Sequence, residues 1–394
     1  MPTWLQPVQR FTDEQKQIYD KILNRIRSND KYSCIIKGPA GTGKTLILAQ
    51  LALQVTGKRG MFLLYTNAFR NFIINALHDT GNQFTEMQTS VETFYKWLFS
   101  VYRTNIRLPY PDGEFEEKTD KMISKLLPVV KQNTFDLALI DEGQDFRPNV
   151  IQLIKKISRQ VIFVGDVNQS IYEKHQDDLG DLLDIINPEE VHNLILSIRI
   201  SPSILRFMRN YVFKIYPKLQ TVKRNEERDS KPLIYHSINL NKFLNYFISN
   251  VAVDYLRSNK NLVVTCRHKT EVDSVYDKIK NIENGIKVYK ITTERDQDID
   301  FSENAIYCIT MHSCKGLEFD NLLFLNINND PTDCQKQYEN LAYTVYTRAR
   351  EDLIIYSPDN NTPLREYLDF GYAIVITELP TDDNKIDIET EYLI

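Results

Sequence analysis

Ser33-Cys34-Ile35-Ile36-Lys37-Gly38-Pro39-Ala40-Gly41-Thr42-Gly43-Lys44-Thr45-Leu46-Ile47-Leu48-Ala49 passes from a short apolar run of strand character, through a glycine-rich turn, into a helical pattern. That context makes residues 38–45 a candidate phosphate site rather than a plain turn. Gly38, Gly41 and Gly43 permit backbone conformations in which the N–H groups of the loop, Ala40 and Thr42 included, face inward at the positive end of the following helix. Lys44 would reach the outer phosphates of ATP. Thr45 offers a hydroxyl to Mg2+, which prefers oxygen ligands and keeps several waters.

Two further apolar runs lead into polar turns. Leu137-Ala138-Leu139-Ile140 precedes Asp141-Glu142-Gly143-Gln144-Asp145, and Val161-Ile162-Phe163-Val164 precedes Gly165, Asp166 and Gln169. Unbroken apolarity over so few residues fits strands covered on both faces of a parallel sheet, and such strands present ligands at their carboxyl ends. Asp141 is therefore the candidate Mg2+ carboxylate, and Glu142 the candidate that orients or deprotonates an attacking water. An amide at Gln169 can sense a terminal phosphate and relay its loss. In the second half, residues 262–265, 305–309, 322–325 and 353–355 are strand candidates between helical segments. The expected fold class is α/β, with two doubly wound parallel sheets in tandem.

The chain resembles the superfamily 1 helicases of the UvrD/Rep/PcrA type. Ser197-Ile198-Arg199-Ile200-Ser201 stands where that family has Asn-Tyr-Arg-Ser. Thr310-Met311-His312-Ser313-Cys314-Lys315-Gly316-Leu317-Glu318-Phe319 matches its Thr-Leu-His-Ser-Ala-Lys-Gly-Leu-Glu-Phe, and Leu341-Ala342-Tyr343-Thr344-Val345-Tyr346-Thr347-Arg348-Ala349-Arg350 its last motif. The resemblance implies two RecA-like motor domains, residues 1–193 and 194–394, with ATP bound between them. It implies that Arg199 and Arg348 are arginine fingers on the terminal phosphate, with Glu318 near the ribose; a guanidinium so placed is worth about 10³ to 10⁵ in rate. The family's adenine-reading Gln corresponds to Gln15, although Thr12-Asp13-Glu14-Gln15 also fits a capping box for a helix carrying Ile18, Ile22 and Ile26. Segments matching the family's single-stranded DNA contacts supply Tyr65, Thr66 and Asn67, then Thr93 and Phe94, and Thr310 and His312 from the second half. An aromatic face there would support a base at roughly 1 to 3 kcal/mol, while small polar groups hold phosphates. A 3′ to 5′ polarity is implied by the family alone.

Two departures bear on mechanism. Glu173-Lys174-His175 stands where the family often has Arg-Trp-Arg, so a base-stacking Trp is missing, and Ile198 replaces the Tyr expected against adenine. The large accessory insertions of longer relatives, one in each half, are absent or vestigial, since only residues 98–135 separate the first DNA segment from the Asp141 strand and residues 202–308 must mostly build the second motor domain itself. Two DNA-directed readings follow. One is a DNA-stimulated ATPase that translocates on single-stranded DNA and unwinds duplex junctions. The other is an ATP-driven clamp regulating a partner such as a nuclease in DNA repair or phage defence. An RNA-directed activity is a third.

A net charge of −5 and a pI of about 5.8 give no global basic field, so a nucleic-acid groove has to be local. The five cysteines show no paired metal-ligand spacing and read as reduced core or loop residues. Neither a secretory signal nor an apolar run long enough to cross a membrane is present, which gives cytoplasmic location and no membrane partner as the expectation. Residues 381–394 read as a mobile acidic end or docking segment.

Overall fold

The computed structural model describes residues 5, 7–54, 57–64, 70, 73–74, 89–166, 186–209, 218–221, 230–236, 238–282, 285–292, 303–314, 317–326, 335–358 and 372–380. The chain forms two compact units, Met1–Leu196 and Ser197–Ile394.

The first unit is built on a six-stranded sheet. Its strands are β1 (Tyr32–Lys37), β2 (Gly60–Leu64), β3 (Thr89–Thr93), β4 (Phe135–Ile140), β5 (Ser158–Gly165) and β6 (Glu190–Asn193), in the order β3-β2-β4-β5-β1-β6. Every pairing is parallel. Alternate strand residues supply two cores, as the side-chain period of a strand requires. Cys34, Ile36, Phe62, Leu64, Leu139 and Val164 face one way, against Ile22 and Ile26 of α1 (Asp13–Ser28) and Ile47 and Leu51 of α2 (Lys44–Gln54). Ile35, Met61, Leu63, Ala138, Ile140 and Phe163 face the other, against α3 (Phe94–Ile106), α4 (Phe115–Leu126) and α5 (Pro148–Ile157). The sheet is thus covered on both sides, and its strands are the apolar runs visible in the sequence.

Register decides what meets at the sheet's carboxyl edge. Lys37 of β1 lies beside Gly165 of β5, and Ile140 of β4 beside Phe163. The glycine-rich loop, the Asp141 turn and Asp166 therefore leave the sheet side by side, where open parallel sheets bind ligands.

Helix α1 is fixed at both ends. Thr12 and Gln15 form a capping box, and Asn29 closes the helix in the left-handed conformation at φ 63°. Lys58 donates to the Ile26 carbonyl and to Asn29 Oδ1, using a cation to satisfy the C-terminal end.

The second unit carries a seven-stranded sheet. Its strands are β7 (Leu233–His236), β8 (Leu262–Cys266), β9 (Val288–Ile291), β10 (Ile306–Thr310), β11 (Phe319–Leu325), β12 (Ala349–Ser357) and β13 (Ile374–Ile376), in the order β9-β10-β8-β11-β12-β7-β13. These pairings are parallel too. The helices are α6 (Pro202–Phe207), α7 (Leu240–Tyr246), which continues through a π-helical turn at Phe247–Ala252 into α8 (Val253–Arg257), α9 (Lys269–Ile282) and α10 (Gln335–Tyr346). Phe243, Phe247, Val272 and Ile279 pack on the face formed by Tyr235, Val264, Cys308, Leu323 and Tyr356. Phe207 and Phe324 meet Tyr346 on the opposite face. The fold class is α/β with two doubly wound parallel sheets. Cys34, Cys266, Cys308 and Cys314 are buried thiols outside any disulfide, while Cys334 lies outside the described residues. Among the described residues no helix is long and apolar enough to cross a membrane.

Candidate active site

Immediately after β1 the chain turns on its glycines. Gly41 (φ 73°) and Gly43 (φ 85°) occupy the left-handed region, which other residues adopt only under strain. Gly38 is required for space instead, since a Cβ there would stand 2.7 Å from Thr42 Oγ1 and 2.9 Å from Leu194 Cβ. Thr42 Oγ1 donates to the Pro39 carbonyl (2.9 Å), and Gln15 Nε2 donates to the Thr42 carbonyl (2.9 Å). Gln15 Oε1 meanwhile accepts from the Thr12 N–H (3.0 Å), so this side chain braces the loop against the start of α1. Lys44 opens α2 and is buried; its Nζ donates to the carbonyls of Gly38 (2.7 Å) and Pro39 (2.9 Å), against the loop's own backbone.

Across the sheet edge, Thr45 Oγ1 donates to Asp141 Oδ2 at 2.8 Å, and the Glu142 N–H donates to Asp141 Oδ1 at 3.0 Å. Burial pushes the Asp141 carboxyl up to about 7, with the Glu142 charge adding to the rise and Thr45 and Lys44 opposing it. Glu142 takes a left-handed backbone (φ 51°) as the chain leaves β4 and enters the short turn Gly143–Asp145. A Cβ on Gly143 would come within 1.7 Å of the Phe163 ring, which explains the glycine. Gln144 Nε2 donates to Glu142 Oε2 (2.6 Å), and Gln144 Oε1 accepts from the Asp166 N–H (3.1 Å).

These residues fit Mg2+. Among the described residues no three or more His, Cys, Asp or Glu side chains converge as a metal site. Mg2+ needs no such cluster, because it takes one or two protein oxygens and completes its octahedron with water and phosphate. The neighbouring oxygens of Thr45 and Asp141 are of that kind.

A family model described as the Schlafen group 3 DNA/RNA helicase domain matches residues 31–330, and a UvrD-like helicase C-terminal domain matches residues 305–356. The chain belongs to the Schlafen group 3 helicase domain family. A protein of Acanthamoeba polyphaga mimivirus named as an ATP-dependent DNA helicase, R568, is 24% identical over 272 residues, which cover 62% of this chain and 37% of that protein. The arterivirus nonstructural protein 10 helicase aligns over 88% of this chain and 64% of its own, at 17% identity and a TM-score of 0.44. The C-terminal domain of a possible DNA helicase from Lactobacillus aligns over 45% of this chain and 98% of its own, at 16% identity and a TM-score of 0.35. The chain thus spans well under half of the mimivirus protein.

In this Schlafen-type domain the second unit holds Arg199, Glu318 and Arg348. Arg199 Nη2 is ion-paired with Glu318 Oε1, and burial draws the Arg199 pKa down while Arg348 and Arg350 press the same way. Arg348 is buried, and its Nε donates to the Thr344 carbonyl at 2.8 Å. Thr310 ends β10 buried, its Oγ1 accepting from the Ser313 N–H (3.2 Å), and His312 beside it is exposed.

Thr93 is buried at the end of β3. Phe94 is fully buried, with Tyr95 at 5.3 Å and Phe146 at 5.5 Å between ring centroids. Its ring is part of the core and has no open face on which a base could stack. Tyr65, Thr66, Asn67 and Gln169 lie outside the described residues. Two engaged residues were not singled out from the sequence. One is Gln144, although its amide beside two acidic residues was a signal. The other is Glu14, whose carboxylate accepts from the N–H groups of Ile195 (3.1 Å) and Leu196 (3.4 Å).

Proposed function

We propose that this chain is a Mg2+-dependent ATPase, stimulated by single-stranded DNA, that translocates along the strand with 3′ to 5′ polarity and separates duplex ahead of it. The observation that carries the reading is the 2.8 Å hydrogen bond from Thr45 to Asp141, which brings the glycine-rich loop and the acidic turn to one point. Residues 38–45 hold the phosphates by backbone N–H groups, and Lys44 exchanges loop carbonyls for phosphate oxygens. Thr45 and Asp141 would hold Mg2+, which would supply charge neutralisation at the phosphates. Glu142 orients the attacking water and takes its proton. Arg199 and Arg348 act on the terminal phosphate, and Glu318 alternates between Arg199 and the ribose. Gln15 serves first as a loop brace, and adenine contact requires it to exchange a present partner. Thr93, Thr310 and His312 are the proposed contacts to the nucleic acid. Strand separation in a cytoplasmic repair or antiviral-defence setting, beside a nuclease, is the biological context we infer.

Two features of the sequence favour the clamp reading: Glu173-Lys174-His175 occupies the place of the family's stacking Trp, and the large accessory insertions are absent or vestigial. Streptavidin displacement from biotinylated single strands separates the two. A translocase strips streptavidin from the 5′ end of the strand in an ATP-dependent manner and leaves it on the 3′ end, and Glu142→Gln abolishes this. ATP turnover without displacement from either end would establish the clamp instead.

A further inference from the structure

We propose that Gln144 is the positioning residue for Glu142, registering its carboxylate to the end of β5; this rests on the reading of Glu142 as the residue that prepares the attacking water. Gln144 is 2% exposed, and both ends of its amide are used. The donor end holds Glu142 Oε2 at 2.6 Å, and the acceptor end takes the Asp166 N–H at 3.1 Å. A carboxylate accepts only and a backbone N–H donates only, so one orientation of the amide satisfies both. Glutamate would place two carboxylates in contact. Alanine would remove both hydrogen bonds.

The surrounding backbone is shaped to this bridge. A Cβ on Gly165 would stand 2.7 Å from Gln144 Oε1, so a side chain there would push the amide aside. Gly143 lets the turn sit directly on the Phe163 ring of β5. Glu142 itself leaves β4 with φ 51°, so its side chain is aimed by an uncommon backbone conformation and then fixed by the amide. A base held from a neighbouring strand keeps its direction while the strands keep their register. A misplacement of about 1 Å at such a group costs about 10²-fold in rate.

The test uses the full chain with ATP, Mg2+ and single-stranded DNA. Gln144→Glu retains volume and the acceptor for Asp166 while replacing the donor to Glu142 with a second carboxylate. Gly165→Ala displaces the amide without altering it. Each is expected to lower kcat by about 10- to 100-fold, with KM and the affinity for a fluorescent ATP analogue within about twofold of wild type. In a Glu142→Gln background, single-turnover rates should not fall further, because the group being positioned is gone. Urea midpoints of each variant report whether folding is intact. Unchanged kcat, a rise in KM alone, or an equal loss in the Glu142→Gln background would each overturn the role. Wild-type turnover no faster than that of Lys44→Ala would mean that the ATPase reading itself fails, and the positioning role with it.

Discussion

Burial at the end of β4 lifts the Asp141 carboxyl from 3.8 to about 7, and that shift carries a sign. A folded-state pKa raised above the unfolded value gives stability that is fully present below 3.8 and is lost as pH rises through about 7. Asp141→Asn should therefore flatten the fall in urea midpoint across that window. Added Mg2+ should raise the wild-type midpoint more at about pH 8 than at about pH 5, since protons compete for the carboxylate. A midpoint that falls equally in wild type and Asp141→Asn would contradict the assignment. The meeting of Thr45 with Asp141 at the sheet edge was legible in the sequence because both follow buried strands at a fixed spacing. The full reason for Gly38 was not, since beside Thr42 it depends on Leu194, which arrives from far along the chain. Phe94 misled for a related reason. An aromatic at a family DNA position has the same spelling whether its ring faces a base or, as here, Phe146.

Helix α1 joins stability to the nucleotide loop through one turn. Thr12 Oγ1 accepts from the Gln15 N–H at 3.2 Å, while the Gln15 side chain reaches Thr12 N and Thr42 O. Thr12→Ala should cost about 1 kcal/mol of stability. It should also weaken ATP binding, because Gln15 loses the geometry from which it holds the loop. Thermal melts with and without ATP check this, and a stability loss with unchanged ATP affinity would show that cap and loop are independent. The capping box was readable from four residues, as were the central strands β1, β4, β5, β8 and β11 from their continuous apolar runs. Edge strands were harder. Glu190-Val191-His192-Asn193 is polar and half exposed, yet β6 forms because Cys34 to Lys37 of β1 offer it a parallel partner. A pairing so distant in sequence leaves no periodic trace in the strand itself.

Among the described residues, the two cores of the first unit are built only from residues before 197. Residues 1–196 expressed alone should therefore fold cooperatively and bind ATP. They should not turn it over, because Arg199 and Arg348 belong to the second unit. Turnover at the full-chain rate by residues 1–196 would remove both arginines from the chemistry. The two-sheet architecture was visible in the order of apolar runs and motifs, whereas the bridge that Gln144 makes between Glu142 and Asp166 emerged only with the strand register that brings Gly165 beside the acidic turn. The measurement that bears most directly on the whole reading is steady-state ATP hydrolysis with Mg2+, titrated with single-stranded DNA, duplex DNA and single-stranded RNA, with Lys44→Ala as control. The reading predicts strong stimulation by single-stranded DNA that disappears in Lys44→Ala. Turnover that is unchanged by every nucleic acid, or that survives in Lys44→Ala, would contradict it.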